Sequence, residues 1–247
     1  MFLRLKNSPK AWMIISLILV ALFALPKKDF LRGILWLLVS LLVAMIADVF
    51  LRLLKNKEII FPSSAIITGL IVAEVLDYHQ SLWILVLAVT LAIFSKHILI
   101  VKKRHIFNPA NFGLLLSGFF FKGIISWWAG VPAILIIILG FFIAFKMRWL
   151  SLIFVFLGLH LLFLGLSALF LQRFFTPQLT LLNFYFAFFM LVEPKTSPQN
   201  ARARLIYGIL TAILVFLLFS LVPQYDSHIL ALAFANLFVP LVNKLTL

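Results

Sequence analysis

Polar side chains that could do chemistry are concentrated in three short segments of an otherwise apolar sequence. The segments are Pro62-Ser-Ser64 with Thr68 one turn later, Arg104-His-Ile-Phe-Asn-Pro-Ala-Asn-Phe-Gly113, and Glu193-Pro-Lys-Thr-Ser-Pro198. Hydroxyl, carboxamide, carboxylate and ammonium groups of this kind fix the orientation of a bound ligand. They are not accompanied by a nucleophile with a positioned base, a metal-ligand cluster or a glycine-rich phosphate loop. We therefore expect a binding site and predict neither catalytic nor metal-ligating residues.

The prolines strengthen this interpretation. Pro109 lacks the backbone donor that a helix interior requires, and such interruptions within a membrane are tolerated where the backbone lines a cavity or is buried in protein. The topology derived below places all three segments at the same depth, near one membrane face. The candidate site residues are Ser63, Ser64, Thr68, Asn108, Pro109, Asn111, Glu193, Lys195, Thr196, Ser197 and Asn236.

The elements that position these residues must lie in lipid. Of the 247 residues, 65% are hydrophobic and only 11% are charged, and the mean hydropathy is +1.20. Soluble domains are about 45–50% apolar, so this composition excludes a soluble globular protein. The composition predicts an all-α polytopic protein whose principal partner is the lipid bilayer.

A membrane-spanning helix needs about 20 apolar residues, and the sequence has ten candidate stretches of roughly that length. They run from Ala11 to Leu25, Phe30 to Leu54, Ile59 to Leu76, Ser81 to Val101, Phe107 to Trp127, Val131 to Lys146, Trp149 to Leu171, Leu179 to Val192, Leu205 to Val222 and His228 to Leu245. The connections are short, so residues 1–247 are predicted to form one transmembrane domain.

The charge distribution predicts the orientation. If the N-terminus is cytoplasmic, fifteen of the 21 Lys and Arg residues fall at the cytoplasmic face and five at the other. Basic residues are retained on the cytoplasmic side, so we expect both termini there, in the plasma membrane. This clustering in short loops also accounts for the net charge of +14 without a nucleic-acid partner.

Ten helices permit two halves of five in opposite orientations, 1–128 and 129–247. A weak sequence similarity between the two halves favours this inverted repeat. The segment Pro62 to Thr68 resembles Pro177 to Asn183, and His105-Ile106 before Ala110-Asn111 resembles His228-Ile229 before Ala235-Asn236.

Charged residues at membrane depth are costly and normally face protein. Asp48 and Arg52 lie four residues apart on one helix, which predicts an ion pair. Lys96 is expected to extend to the inner surface, and Glu74 and Asp77 are expected to be solvated near the outer end of the third helix.

The same segments resemble those of the NqrB/RnfD family, the flavin-carrying membrane subunits of sodium-pumping NADH:quinone reductase and of the Rnf electron-transport complex. The motifs that carry the resemblance are Ser63-Ser-Ala-Ile-Ile-Thr-Gly-Leu70, Phe107-Asn-Pro-Ala-Asn111, Glu193-Pro-Lys-Thr-Ser-Pro198 and Ala231-Leu-Ala-Phe-Ala-Asn-Leu-Phe-Val-Pro-Leu-Val242, in the family's order. The resemblance implies electron transport with a flavin, FMN or riboflavin, at the candidate site residues. It also implies partner redox subunits or a flavoprotein.

The sequence departs from the family in one important respect. Members with covalent FMN attach it through a threonine in an Asp-x-x-Ser/Thr-x-Ala-Thr pattern, which this sequence lacks. It is closer to short stand-alone relatives, including the UnbU membrane proteins. Any flavin is therefore expected to be non-covalent, and the absence of cysteine excludes thiolate-ligated clusters.

Two other functions stay open. The family's fold is similar to that of urea transporters, so the chain could be a transporter or channel for a small solute or flavin. Coupling to ion translocation belongs to the electron-transport function that the resemblance implies. It could also serve only to anchor a soluble redox partner. If it takes part in catalysis, it is expected to do so as a subunit of a redox-driven translocase and not as an autonomous enzyme.

Overall fold

The computed structural model describes residues 8–25, 29–58, 60–101, 104–170 and 183–245. Nine α-helices occupy most of these residues: α1 Pro9–Ala24, α2 Phe30–Leu54, α3 Ser63–Val75, α4 Leu82–Ile98, α5 Pro109–Phe121, α6 Ala133–Met147, α7 Leu150–Phe170, α8 Ala201–Leu221 and α9 Ser227–Leu245. A π-helix, Phe186–Met190, precedes α8, and a two-stranded hairpin of β1 Ile100–Val101 and β2 Arg104–His105 joins α4 to α5. A 3-10 turn, Trp128–Gly130, precedes α6.

The all-α membrane architecture predicted from composition is confirmed. Four of the described helices, α2 and α7 to α9, are long and apolar enough to cross a membrane, and five others are apolar but have only 13–17 residues. Large apolar side chains such as Leu31 and Ile134 are more than three-quarters exposed. Such exposure is incompatible with water but natural in lipid.

The helices pack in an order that follows the proposed halves. In the first half α1 and α2 pack on α3, α2 on α4, and α4 on α5; in the second half α6 and α7 pack on the π-helix, α7 on α8, and α8 on α9. Contacts between the halves join α1 to α6 and α5 to α9, which are equivalent positions. This is the pairing that a five-plus-five repeat requires, while the repeat itself stays a prediction.

Several helices are shorter than the sequence predicted. α5 ends at Phe121 and not at Trp127, because Lys122 adopts a left-handed conformation (φ 55°) that stops the helix. The following residues are not helical and bond to the end of α3: Asp77 N–H donates to the Ile124 carbonyl, and Ser126 and Trp127 N–H donate to the Val75 carbonyl. These non-helical segments satisfy backbone groups that a longer helix would have satisfied internally.

The other boundary differences have equally local causes. α3 begins at Ser63 after Pro62, not at Ile59, which lies outside the described residues. α4 ends at Ile98 and not at Val101, because Ile100 and Val101 pair with His105 and Arg104 in the hairpin. The predicted eighth helix, Leu179 to Val192, is described only from residue 183, and Phe186–Met190 is wound as a π-helix.

Hydrogen bonds between loops and helix ends show which of them lie at the same face of the described part of the protein. At one face Lys55 Nζ donates to the His97 carbonyl (2.6 Å) and Arg204 Nη1 to the Arg148 carbonyl (2.9 Å). At the other, Arg32 donates to the carbonyls of Tyr78 and His79. Following the predicted topology we call the first the inner face and the second the outer face; which is cytoplasmic stays a prediction.

Candidate functional site

A cavity of about 210 Å³ enters the protein from the inner face between α1, α3, the start of α5 and the end of the π-helix. Its lining comes from widely separated parts of the sequence: Pro9, Lys10, Met13, Ser64, Ile67, Thr68, Ile71, Asn108, Ala110, Met147, Phe189, Glu193, Pro194 and Lys195. The wall is largely apolar, and the polar groups belong mainly to the three segments singled out by sequence. The structure thus brings five of the eleven candidate residues to one cavity: Ser64, Thr68, Asn108, Glu193 and Lys195.

Asn108 joins two of the segments. Its Oδ1 accepts from Asn111 N–H (3.1 Å) and so caps α5, while its Nδ2 donates to the Met190 carbonyl (3.0 Å) at the end of the π-helix. Pro109, the next residue, occupies the first position of α5, where its missing N–H is not needed. Asn108 therefore holds the inner end of α5 against the π-helix.

The Glu193–Pro198 turn is fixed by its own hydroxyls and by an arginine. Ser197 Oγ donates to the Leu191 carbonyl (2.7 Å), and Thr196 Oγ1 donates to the Glu193 carbonyl (3.4 Å). Arg104 Nη2 donates to the carbonyls of Pro194 (3.1 Å) and Ser197 (2.5 Å). Thr196 and Ser197 are buried, so they shape the turn that presents Glu193 and Lys195 to the cavity.

The remaining candidates do not line the cavity. Ser63 only begins α3. Asn111 Nδ2 donates to the Ile229 carbonyl (2.9 Å), and Asn236 Oδ1 accepts from the Tyr207 hydroxyl (2.7 Å). Both amides join helices, α5 to α9 and α8 to α9. Whether any of the eleven residues binds a cofactor stays a prediction.

Sequence reasoning missed the contribution of α1 and of two distant side chains. Lys10 and Met13 of α1 line the cavity together with Met147 and Phe189. In the sequence Lys10 counts only as a topology-determining charge, and no local signal connects α1 with residues 193–195. The contact depends on how α1 packs on α3.

The charge balance at the cavity mouth is set by three side chains, Glu193, Lys10 and Lys195. Both lysines are exposed, whereas the Glu193 side chain is only partly exposed. Burial raises the pKa of Glu193 to about 7, an effect that the nearby Lys96 and Lys195 oppose. The mouth therefore carries a net positive charge on either side of neutral pH.

A cluster of buried charged side chains lies between α2 and α4. Asp48 accepts from Arg52 Nε (2.7 Å), which confirms the predicted pair, and its other oxygen lies 2.8 Å from His97 Nε2. Lys96 Nζ is 3.4 Å from the same oxygen, and its side chain is only 6% exposed. The prediction that Lys96 reaches the inner surface is therefore wrong, because α2 places a carboxylate beside it.

The prediction for Glu74 is also wrong. Glu74 is fully buried and accepts a 2.8 Å hydrogen bond from the Tyr185 hydroxyl, whereas its position in the sequence predicts a solvated carboxylate. The helix ends one residue later, but the non-helical residues 124–127 cover that end. Asp77, three residues beyond, is partly exposed and bonds to His79, as expected of a loop carboxylate.

The basic residues of the inner face are not all available to a ligand. Arg104 holds the 193–198 turn, and Arg204 donates to the carbonyls of Pro198, Gln199 and Arg148 while its guanidinium lies 4.0 Å from the Trp149 ring centre. Lys102 and Lys103 lie outside the described residues.

Proteins similar in sequence to this chain include subunits of the ion-translocating oxidoreductase complex. A 60-residue stretch is 38% identical to a subunit of this complex from Aeromonas salmonicida (strain A449), covering 24% of this chain and 17% of that protein. A 74-residue stretch is 39% identical to the corresponding subunit from Salmonella arizonae, covering 29% of this chain and 21% of that protein. The matched segments thus represent about a fifth of the relatives' length.

The family profile extends much further along the chain. The profile described as the NQR2, RnfD, RnfE family matches residues 6–134 and 120–247. These two matches include all three polar segments, the cavity they form and every described helix. The chain therefore belongs to the NQR2, RnfD, RnfE family.

Proposed function

We propose that this protein is a membrane subunit of an ion-translocating electron-transport complex and that its inner cavity binds a non-covalent flavin. The observation that carries the proposal is the meeting of Ser64, Thr68, Asn108, Glu193 and Lys195 at one cavity in a member of this family. The names of the related subunits support the electron-transport role.

The side chains that line the cavity are of chemical types that can bind a flavin. Met13, Ile67, Ile71 and Phe189 offer apolar contacts for a flat aromatic ring, and Ser64 offers a hydroxyl. Lys10 and Lys195 at the mouth offer two ammonium groups for a phosphate. At about 210 Å³ the cavity is smaller than the roughly 300 Å³ or more that enclose a drug-sized ligand. It therefore suits the ring, with the remainder of the molecule at the inner face.

The protein's own contribution would be to bind the flavin and to orient its ring. The apolar wall excludes water from the ring, and the lysines favour FMN over uncharged riboflavin by charge attraction. Asn108 Nδ2 donates to the Met190 carbonyl and Thr68 Oγ1 to the Ser64 carbonyl, so these two donors are already used within the protein. The flavin, when bound, supplies the electron-transfer chemistry.

Flavin titration of the purified, flavin-depleted protein tests this proposal. We expect FMN fluorescence to be quenched stoichiometrically, and we expect Ile67→Trp, which fills the cavity, to abolish binding. Ile66→Trp is the matched control, since Ile66 is also half-buried on α3 but does not line the cavity. Failure of FMN and riboflavin to bind wild-type protein would contradict the proposal.

Lysine variants separate phosphate recognition from ring binding. Lys10→Ala and Lys195→Ala should each weaken FMN binding roughly 2- to 5-fold, since an exposed ionic contact contributes about 0.5–1 kcal/mol. Riboflavin binding should change little. Equal losses for both flavins would show that the lysines act on the fold and not on the phosphate.

Other subunits are the proposed partners, as the relatives' names imply for those proteins. Gentle extraction of the native membrane complex, followed by mass spectrometry, should recover the chain with redox subunits. Recovery of the chain alone, under conditions that preserve other membrane complexes, would contradict the proposal that it has partner subunits.

Transport of a small solute is the second candidate, because α3 and α5 have only 13 residues each and continue as non-helical chain. At 1.5 Å per residue such helices span about 20 Å, less than the hydrocarbon core of about 30 Å. Interrupted helices of this kind form substrate sites in transporters. Uptake of riboflavin or small neutral solutes into proteoliposomes, without bound flavin in the purified protein, would favour this function.

A further inference from the structure

Glu74 on α3 is a carboxyl group buried within the membrane domain. Its exposure is 0%, and its Oε2 accepts a hydrogen bond from the Tyr185 hydroxyl at 2.8 Å. Its Oε1 is also buried and has no hydrogen-bond partner among the described residues. An ionised carboxylate would need a compensating charge at such a position.

None of the described charged side chains forms an ion pair or a hydrogen bond with Glu74. The Ala73 carbonyl bonds to Trp36 of α2, and twelve residues separate Trp36 from Asp48, about 18 Å along the helix. Other charges on the elements around α3 are Lys10 of α1, Arg52 of α2, and Lys96 and His97 of α4, near the inner face. Toward the outer face, Arg32 of α2 donates to the carbonyls of Tyr78 and His79, Asp77 accepts from His79 N–H, and Lys122 follows α5. Tyr185 is the titratable group that contacts Glu74 directly.

The surroundings do not suit a metal cation either. Nearby backbone oxygens are already used: the Ala73 carbonyl accepts from Trp36 Nε1 (3.1 Å) and Trp128 Nε1 (2.7 Å), and the Val75 carbonyl accepts from two backbone N–H groups. This leaves the two Glu74 oxygens and one hydroxyl, whereas hard cations take about six oxygen ligands. A single proton satisfies the carboxyl without further ligands.

The pair lies between two hollows of the protein. On the inner side, Ile71, one turn before Glu74, and Phe189 line the inner cavity. On the outer side, Tyr185 itself lines a second hollow together with Trp127, Ser227 and two titratable side chains, Asp226 and His228. The ring centres of Tyr185, which lines the outer hollow, and Phe189, which lines the inner cavity, are 5.2 Å apart.

We propose that Glu74 is a proton-binding site that exchanges its proton with the outer hollow through the Tyr185 hydroxyl. The carboxyl is protonated in the resting protein. When Glu74 releases a proton, the Tyr185 O–H turns from Oε2 toward the outer hollow, the hydroxyl oxygen accepts the proton from Glu74, and the hydroxyl passes its own proton to a water molecule in that hollow. The reverse exchange restores the acid. This inference goes beyond the proposed electron-transport role and does not depend on a bound flavin.

Infrared spectroscopy of the full chain in nanodiscs provides the test. Wild-type protein should show a carbonyl stretching band of a protonated, buried carboxyl that shifts in D₂O, and Glu74→Gln should lose it. Glu193→Gln, at the cavity mouth, is the control and should retain it. In Tyr185→Phe the band should move to higher frequency, and deuterium exchange should slow by roughly tenfold or more.

Labelling of wild-type protein with a hydrophobic carbodiimide tests the site without any variant. We expect Glu74 to be modified at least about tenfold more than the charge-compensated Asp48, because only a neutral carboxyl in apolar surroundings reacts readily. Sodium ions should not protect it. Protection by sodium, absence of label at Glu74, or a band unchanged in Glu74→Gln would each overturn the proposal.

Discussion

Two buried carboxyl groups, Asp48 and Glu74, occupy opposite electrostatic environments in the same membrane domain. Asp48 lies near the inner face and is surrounded by Arg52, Lys96 and His97 at 2.7–3.4 Å. Glu74 lies toward the outer face and contacts only the hydroxyl of Tyr185 among described polar side chains. Both side chains are withdrawn from solvent.

Because of this difference, Asp48 carries a fixed charge with a structural role, whereas Glu74 can change its protonation state. A carboxylate held by several cations stays ionised, because its neutralisation would leave those cations buried without a partner. A carboxyl with one neutral partner can gain or lose a proton without breaking an ion pair. The fold therefore assigns Asp48 to the α2–α4 contact and leaves Glu74 available for proton exchange.

The largest expected effect is that of Asp48→Asn. It leaves the charges of Arg52 and Lys96 without a counter-charge, so we expect a loss of about 3–5 kcal/mol in the free energy of unfolding. Glu74→Gln replaces a neutral acid by a neutral amide and should cost no more than about 1 kcal/mol. Reversible unfolding in mixed micelles measures both, and equal losses would show that the two sites do not differ as described.

Tyr185→Phe should have an intermediate effect. It removes the hydrogen bond to Glu74 and leaves a buried carboxyl with no partner, which should cost about 1–3 kcal/mol in unfolding free energy. Tyr207→Phe is a matched control, because the Tyr207 hydroxyl bonds to a neutral amide of Asn236. If Tyr185→Phe were neutral in the same unfolding assay, Glu74 would have another partner.

Lys96→Met should change stability by less than about 1 kcal/mol, because Asp48 keeps Arg52 and His97 while a buried ammonium is removed. The ammonium of Lys96 makes no hydrogen bond of acceptable geometry to the described residues. Arg52→Met removes a 2.7 Å bond and should be clearly more destabilising. The reverse order of these two variants would identify Lys96 as the principal partner of Asp48.

Glu193 should give the smallest effect, a pH dependence of stability. Burial raises its pKa in the folded protein to about 7, from 4.5 for the free group. Its contribution to stability is therefore complete below about pH 4.5 and is lost as the pH rises to about 7. Because water screens this partly exposed group, the change should stay below about 1 kcal/mol. The difference between wild type and Glu193→Gln, measured across that pH range, should show it; a constant difference would contradict the assignment.

Sequence periodicity predicted contacts within one helix but not those between helices. The spacing of Asp48 and Arg52 was sufficient to predict their ion pair. Their partners on α4 could not be predicted, since Lys96 and His97 join Asp48 only because α2 packs on α4. Glu74 was misjudged for the same reason, because the residues covering it come from the non-helical chain after α5 and from the π-helix.

The candidate site was predicted in part. Prolines and polar groups in apolar surroundings indicated the three segments that meet at the cavity. Asn111 and Asn236 have the same residue type and a similar local setting, yet their amides bond between helices. Residue type alone does not distinguish an amide that faces a cavity from one that joins helices.

The sequence by itself determined that this protein lies in lipid, that it is helical and which family it belongs to. These properties follow from composition, from the length of apolar runs and from local motifs. The tertiary structure decided which polar groups share a cavity, which charges compensate one another and which carboxyl is left alone. Those outcomes depend on packing between distant helices, where separations of a few ångströms determine whether a buried charge has a partner.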